Sequence, residues 1–212
     1  MPSLEKYPRR EDERGVLERK MKDAGRLPPG QSLTLKWPVL HDGDVPAFDP
    51  EAWDFQVGGL VESPATWDYR SFMALPVATV RSDFHCVTRW STFDNEWEGV
   101  PFREVLGRVR PRREATHVMV LGHLGEDPRG YSTNVPLADL DRPEVLLAFR
   151  NHGRDLSPEH GWPLRLVVPH LYAWKSCKWV RALVFMDRDK AGYWESSGYH
   201  MRGDPLREER FG

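Results

Sequence analysis

Cys86 stands in Asp83-Phe84-His85-Cys86-Val87-Thr88-Arg89-Trp90-Ser91, at the end of an expected strand and between two basic side chains, His85 and Arg89. Cations so close to a thiol favour its thiolate. A thiolate serves as a nucleophile or as a soft metal ligand. The third reading is an inert thiol that packs as a small apolar side chain. A second group of polar residues falls where the late apolar strands break into loops: Asn151-His152-Gly153, His160-Gly161, Arg165, Lys175, Ser176 and Lys178. Glycine lets a backbone approach a ligand closely, and Arg and Lys are the usual partners of phosphate. As a set these residues suit a cradle for an anionic cofactor; singly, each reads as a solvated loop charge.

Other patterns carry less chemistry. Gly58-Gly59 and Gly122-His123-Leu124-Gly125 lack the spacing of a dinucleotide or phosphate loop and read as turns. His117 and His123 lie on or beside an expected strand and read as structural. There is no Cys-x-x-Cys or His-x-x-x-His to hold zinc, and no Gly-x-Ser-x-Gly elbow for a serine hydrolase. A cysteine hydrolase built on Cys86 and a distant histidine stays open as a remote reading.

The elements that must position these groups come from 212 residues, a length that suits one large domain or two small ones. Hydrophobic residues are 40% and charged residues 29%, ordinary for a globular chain. Lys+Arg 30 against Asp+Glu 32 give a net charge of −2, which removes the basic footprint of a nucleic-acid binder. No apolar run is long enough for a membrane span. Two cysteines, Cys86 and Cys177, are too few for a disulfide framework. Arg9-Arg10 is followed by Glu11-Asp12-Glu13 where an export signal would turn apolar, so a cytoplasmic location with reduced thiols is expected. The chain carries 9 Trp and 18 Pro, which suits irregular packing around aromatics better than a helical bundle.

Helices are expected at 11–24, 69–75 and 101–109, with at most one turn at 136–140. Strands are expected at 32–37, 53–61, 77–87, 116–121, 145–149, 164–168 and 179–185. The outcome is one α+β domain, mixed and strand-rich, over residues 31–212, preceded by a charged N-terminal helix or extension over 1–30.

Phe84-His85-Cys86-Val87-Thr88-Arg89-Trp90-Ser91, followed by Trp97-Glu98-Gly99-Val100 and a helix, resembles the cofactor-cysteine segment of the sulfite oxidase family of molybdopterin oxidoreductases. Gly130-Tyr131-Ser132-Thr133-Asn134-Val135-Pro136-Leu137 continues the resemblance, as do His160-Gly161-Trp162-Pro163-Leu164-Arg165 and Lys175-Ser176-Cys177-Lys178-Trp179. The earlier Val39-Leu40-His41-Asp42-Gly43-Asp44-Val45-Pro46 fits too. These segments occur in the family's order from about Trp37 to Tyr199.

The resemblance implies a mixed α+β molybdopterin-binding domain and oxygen-atom transfer to or from a small sulfite- or sulfoxide-like substrate. It makes Cys86 the thiolate ligand of molybdenum. His160, Arg165 and Lys178 match positions that hold the pterin phosphate, and Asn151 and His152 fall in the pterin loop. With His41, His85, Arg89, Lys175 and Ser176 they form the expected cofactor-binding set. Tyr131 matches the tyrosine beside the metal's open position and is the second catalytic candidate. Cys177 is expected to be a packing residue. His41 stands where the family usually has asparagine, and Arg89 is out of register with the family's arginine. An external electron carrier and a monomer are expected, with no nucleic acid or membrane partner. The alternative is a non-catalytic molybdopterin-binding module of the same fold.

Overall fold

The computed structural model describes residues 10–122 and 131–212, with side chains from residue 13 onward. The turn expected around His123 to Gly125, Arg9 of the Arg-Arg pair, and Gly130 before Tyr131 lie outside the described residues. In chain order the elements are α1 (Arg10–Asp23), β1 (Ser32–Leu33), β2 (Asp54–Gly59), β3 (Ala65–Asp68), α2 (Tyr69–Met73), β4 (Ala78–His85) and β5 (Trp90–Pro101). Then come α3 (Phe102–Val109), β6 (His117–Leu121), β7 (Ser132–Pro136), α4 (Leu137–Leu140), β8 (Leu146–Asn151), β9 (Arg154–Asp155), β10 (Arg165–Val167), β11 (Ala182–Met186) and α5 (Tyr193–Ser196). Among the described residues no helix is long and apolar enough to cross a membrane.

The strands form two mixed sheets. One runs β1-β5-β8-β10, with β4 added to β5 and β9 to β8; the other runs β3-β2-β11-β6-β7. Each contains one parallel pair, β1 with β5 and β2 with β11, and is otherwise antiparallel. Strand β8 explains how the layers stack. Leu147 joins Phe55, Phe72, Val105, Val120, Leu166 and Phe185 in the main core. Its neighbours Leu146 and Ala148 point the other way and pack with Phe84, Trp97 and Val167. A strand buried on both faces reads as an unbroken apolar run, as Val145 to Phe149 does.

Several elements differ from the sequence expectation. The strand expected at 32–37 stops at Leu33, because Lys36 N–H turns back to the Thr34 hydroxyl at 3.1 Å before Pro38. The 12-residue β5 was not anticipated: its buried positions include Ser91 and Asn95, which break apolar alternation. Both are satisfied internally, Ser91 by His85 Nδ1 at 2.8 Å and Asn95 through its amide to the Ser82 and Thr92 carbonyls. Strands β3 and β7 were also missed. Pro101 precedes α3 with extended backbone instead of opening it, and the strand expected at 179–185 begins only at Ala182, because Trp179 has φ +53°. At the N-terminus, Glu18 accepts the Leu33 N–H at 2.8 Å, and Arg26 pairs with Asp83 and Asp94 at 2.5 and 2.7 Å.

Candidate active site

Cys86 sits where the β4–β5 hairpin turns. Its N–H donates to the Trp90 carbonyl at 2.9 Å, its carbonyl accepts the Arg89 N–H at 3.0 Å, and Arg89 closes the turn at φ +72°. The thiol lines a cavity of about 220 Å³ shared with His41, Tyr131, His160, Arg165, Ser176 and Lys178. Seven of the residues expected to do chemistry thus meet here, brought from the segment before β2, the β4–β5 turn, the start of β7 and the loops around β10. Aromatic side chains that the sequence reading did not single out complete the walls: Trp37, Trp90, Trp174, Trp194 and Tyr199.

The electrostatics come from two buried cations. Arg165 is 3% exposed; its Nη1 donates to the His160 carbonyl at 2.8 Å, while its Nε finds no partner among the described residues. Its guanidinium lies 5.0 Å from the Phe84 ring and 5.6 Å from that of Trp37. Lys178 donates Nζ to the Leu40 and Glu159 carbonyls at 2.8 and 2.6 Å. Among the described residues neither cation has a carboxylate within salt-bridge distance. Burial lowers both, Arg165 to about 10 and Lys178 to about 7, where Arg165 adds like-charge repulsion. The His160 ring stacks on Trp37 with centroids 3.9 Å apart. Gly161, at φ +113°, lets this turn close on the site, since a Cβ there would lie 3.2 Å from both the Arg165 and Lys178 Cβ atoms.

Burial pushes the Cys86 thiol up, and the Thr88 hydroxyl, which donates to Sγ at 3.2 Å, works against it together with Arg165 and Lys178. This corrects the expectation that His85 and Arg89 supply the nearby positive charge. His85 is buried, burial lowers it to about 4, and its Nδ1 is engaged with Ser91. Arg89 is exposed and reaches back to the Gly30 carbonyl at 3.5 Å. Burial also pushes the Cys177 thiol up, to about 12, as suits a packing residue.

Three other expected site residues do not line the cavity. Asn151 and His152 line a separate pocket of about 330 Å³ between α1, residues 33–37 and β5, with Trp37 between the two. Lys175 is fully buried and donates to the Asn134 carbonyl and side chain, both at 2.8 Å, and to Glu195 at 2.7 Å. It anchors the 3₁₀ turn Ala173–Lys175, which brings Trp174 and Ser176 to the cavity. Tyr131 stands edge-on to Trp179 and Trp194, with centroids 5.4 and 5.8 Å away, and burial raises its hydroxyl so that it stays a proton donor. Thr88 and Trp90 had a sequence signal, two and four residues from Cys86; the other aromatic walls had none, because their positions along the chain do not disclose a shared cavity.

A molybdopterin cofactor carries a phosphate and a metal with affinity for soft thiolates. The site offers a thiol and two buried cations that, among the described residues, lack a carboxylate, one of them with an Nε that lacks a partner. A buried cation without a counter-ion is costly, so this donor set fits an anionic cofactor.

The oxidoreductase molybdopterin binding domain family matches residues 42–194. The uncharacterized oxidoreductase YuiH of Bacillus subtilis is 44% identical over 194 residues, covering 91% of this chain and 96% of YuiH. The protein-methionine-sulfoxide reductase catalytic subunit MsrP of Ralstonia nicotianae is 28% identical over 156 residues, covering 68% of this chain and 47% of that protein. In fold, the chain is similar to the crystal structure of the sulfane dehydrogenase SoxCD from Paracoccus pantotrophus. There the TM-score is 0.59 at 24% identity, over 68% of this chain and 40% of that one. The match over residues 42–194, which span the cavity's thiol and both its cations, shows that the chain belongs to the oxidoreductase molybdopterin binding domain family and is a molybdopterin-dependent oxidoreductase of the sulfite oxidase type.

Proposed function

We propose that the cavity binds molybdopterin with Cys86 as the protein ligand of molybdenum and with Arg165, Lys178, His160 and Ser176 around its phosphate. The reaction is oxygen-atom transfer to or from a small sulfite- or sulfoxide-like substrate, with electrons exchanged with an external carrier. The observation that carries this reading is one cavity containing both the buried thiol and the buried Arg165, which has no carboxylate partner among the described residues. The cofactor, when bound, supplies two-electron redox chemistry. The chain supplies the rest. Arg165 and Lys178 hold negative charge in a poorly solvated site, where such interactions are strong. The Tyr131 phenol keeps its proton and can donate to a substrate oxygen. Trp174, Trp194 and Tyr199 exclude water from the same space.

The test is the molybdenum-to-protein ratio in protein from a host that makes the cofactor. A ratio near one is expected for the native chain, and a ratio near zero for Cys86→Ser with its thermal midpoint kept. Full molybdenum occupancy in Cys86→Ser would sink the ligand assignment. Turnover of sulfite, sulfoxides and N-oxides with artificial electron donors and acceptors then selects the substrate. Tyr131→Phe is expected to lower kcat by about a hundredfold at unchanged molybdenum content, the usual effect of deleting one donor to a reacting oxygen.

A further inference from the structure

The turn that carries Cys86 is held by two side chains from outside residues 42–194, one on each side of the matched domain. Gln31, 7% exposed, donates Nε2 to the Cys86 carbonyl at 2.9 Å. Arg210, 6% exposed, donates Nη1 to the Val87 carbonyl at 2.7 Å and Nη2 to the Pro29 carbonyl at 3.2 Å. Its guanidinium lies 5.0 Å from the ring of Tyr172. Arg210 therefore ties the C-terminal segment both to the turn and to the stretch that bears Gln31. Backbone bonds run parallel to these ties: Ser32 N–H donates to the Arg89 carbonyl at 3.0 Å. A four-residue turn has few internal hydrogen bonds to resist displacement, so bonds from outside must set where its carbonyls lie.

We propose that Gln31 and Arg210 are positioning residues for Cys86, clamping the carbonyls of Cys86 and Val87 so that the thiol is held in one place in the cavity. The functional meaning of the clamp rests on Cys86 being the metal ligand; the clamp itself does not. A ligand position defined before the metal arrives costs less ordering when the cofactor binds.

The experiment uses the full chain free of metal and measures iodoacetamide alkylation of Cys86 by peptide mass spectrometry. Cys177, buried elsewhere in the core, serves as the internal reference. Arg210→Met keeps an unbranched apolar side chain and removes the donors together with the charge over Tyr172; Gln31→Leu removes only a neutral donor. Each is expected to raise the Cys86 rate about tenfold, the effect on the open population of losing the one buried hydrogen bond that each side chain makes to the turn itself. Arg210→Lys, which restores a charged donor, is expected to return most of the protection. Cys177 stays slow throughout. In cofactor-loaded protein, Arg210→Met is expected to shift the thiolate charge-transfer band. An unchanged Cys86 rate in both variants overturns the proposal. So does an equal rise at Cys86 and Cys177, which would mean general loosening. Molybdenum retention by Cys86→Ser would instead overturn the ligand reading and leave the alkylation result to decide the clamp.

Discussion

Lys178 holds its ammonium on two backbone carbonyls beside Arg165, and burial lowers it to about 7. At about pH 6 it is charged and at about pH 8.5 mostly neutral, so anion affinity in the cavity falls as pH rises through 7. Sulfate, whose own charge is constant over that range, is the suitable probe. Its affinity for metal-free protein is expected to drop about tenfold between those pH values, and the slope to flatten in Lys178→Met, both by calorimetry. Cys86, Arg165 and Lys178 were legible in the sequence because a thiol and cations at the ends of apolar strands are unusual. The neutrality of His85 was not legible, because it follows from burial, with Phe93 and Ser91 against the ring, and not from its immediate neighbours in the chain.

At the scale of elements, β5 carries the site: it pairs with β4 on one side and β8 on the other, and the β4–β5 turn holds Cys86. The β5–β8 register shifts at Gly99, where a Cβ would lie 2.3 Å from the Leu147 carbonyl oxygen and 2.5 Å from the Ala148 Cα. Both are backbone atoms that cannot step aside without parting the strands. Gly99→Ala is expected to cost about 3 kcal/mol by urea denaturation. The tie between the Ala173–Lys175 turn and α5 is the buried Lys175–Glu195 pair at 2.7 Å, with both side chains wholly inaccessible. Removing one partner strands the other charge, so Lys175→Met is expected to cost about 3 to 5 kcal/mol. Lys175→Met combined with Glu195→Leu should cost less than the single change; a double variant that is worse would refute this account. Lys175 was chosen from the sequence as a cofactor contact, and only the structure shows that its charge is spent on Glu195.

Over the whole molecule, Asp139 ties its own turn to two distant stretches. It is 4% exposed and meets Arg142 of the loop after α4, His170 of the loop after β10 and Arg202 of the C-terminal segment at 2.9, 3.1 and 3.1 Å. Burial alone would raise its carboxyl, but the hydrogen bonds from His170 and Arg202 outweigh it and hold the carboxyl below the usual range. A depressed carboxyl contributes stability above its unfolded value of 3.8, and that contribution is lost as pH falls through the lower folded value. Asp139→Asn is therefore expected to lose about 3 kcal/mol at neutral pH and to show a flatter acid limb below 3.8, read from thermal midpoints across pH.

The sequence by itself determined the strand-rich α+β class and the thiol-plus-cation chemistry, and its resemblance to a known family implied the cofactor. Apolar runs such as Val145 to Phe149 and residue types such as Cys86 and Arg165 are local properties, written position by position. Only the tertiary structure decided which cations face the thiol, that Asn151 and His152 belong to a neighbouring pocket, and that Gln31 and Arg210 grip the Cys86 turn. The physical reason is that burial and hydrogen-bond partnership depend on segments up to 181 residues apart meeting in space, as Arg210 meets Pro29, and no local pattern encodes such a meeting.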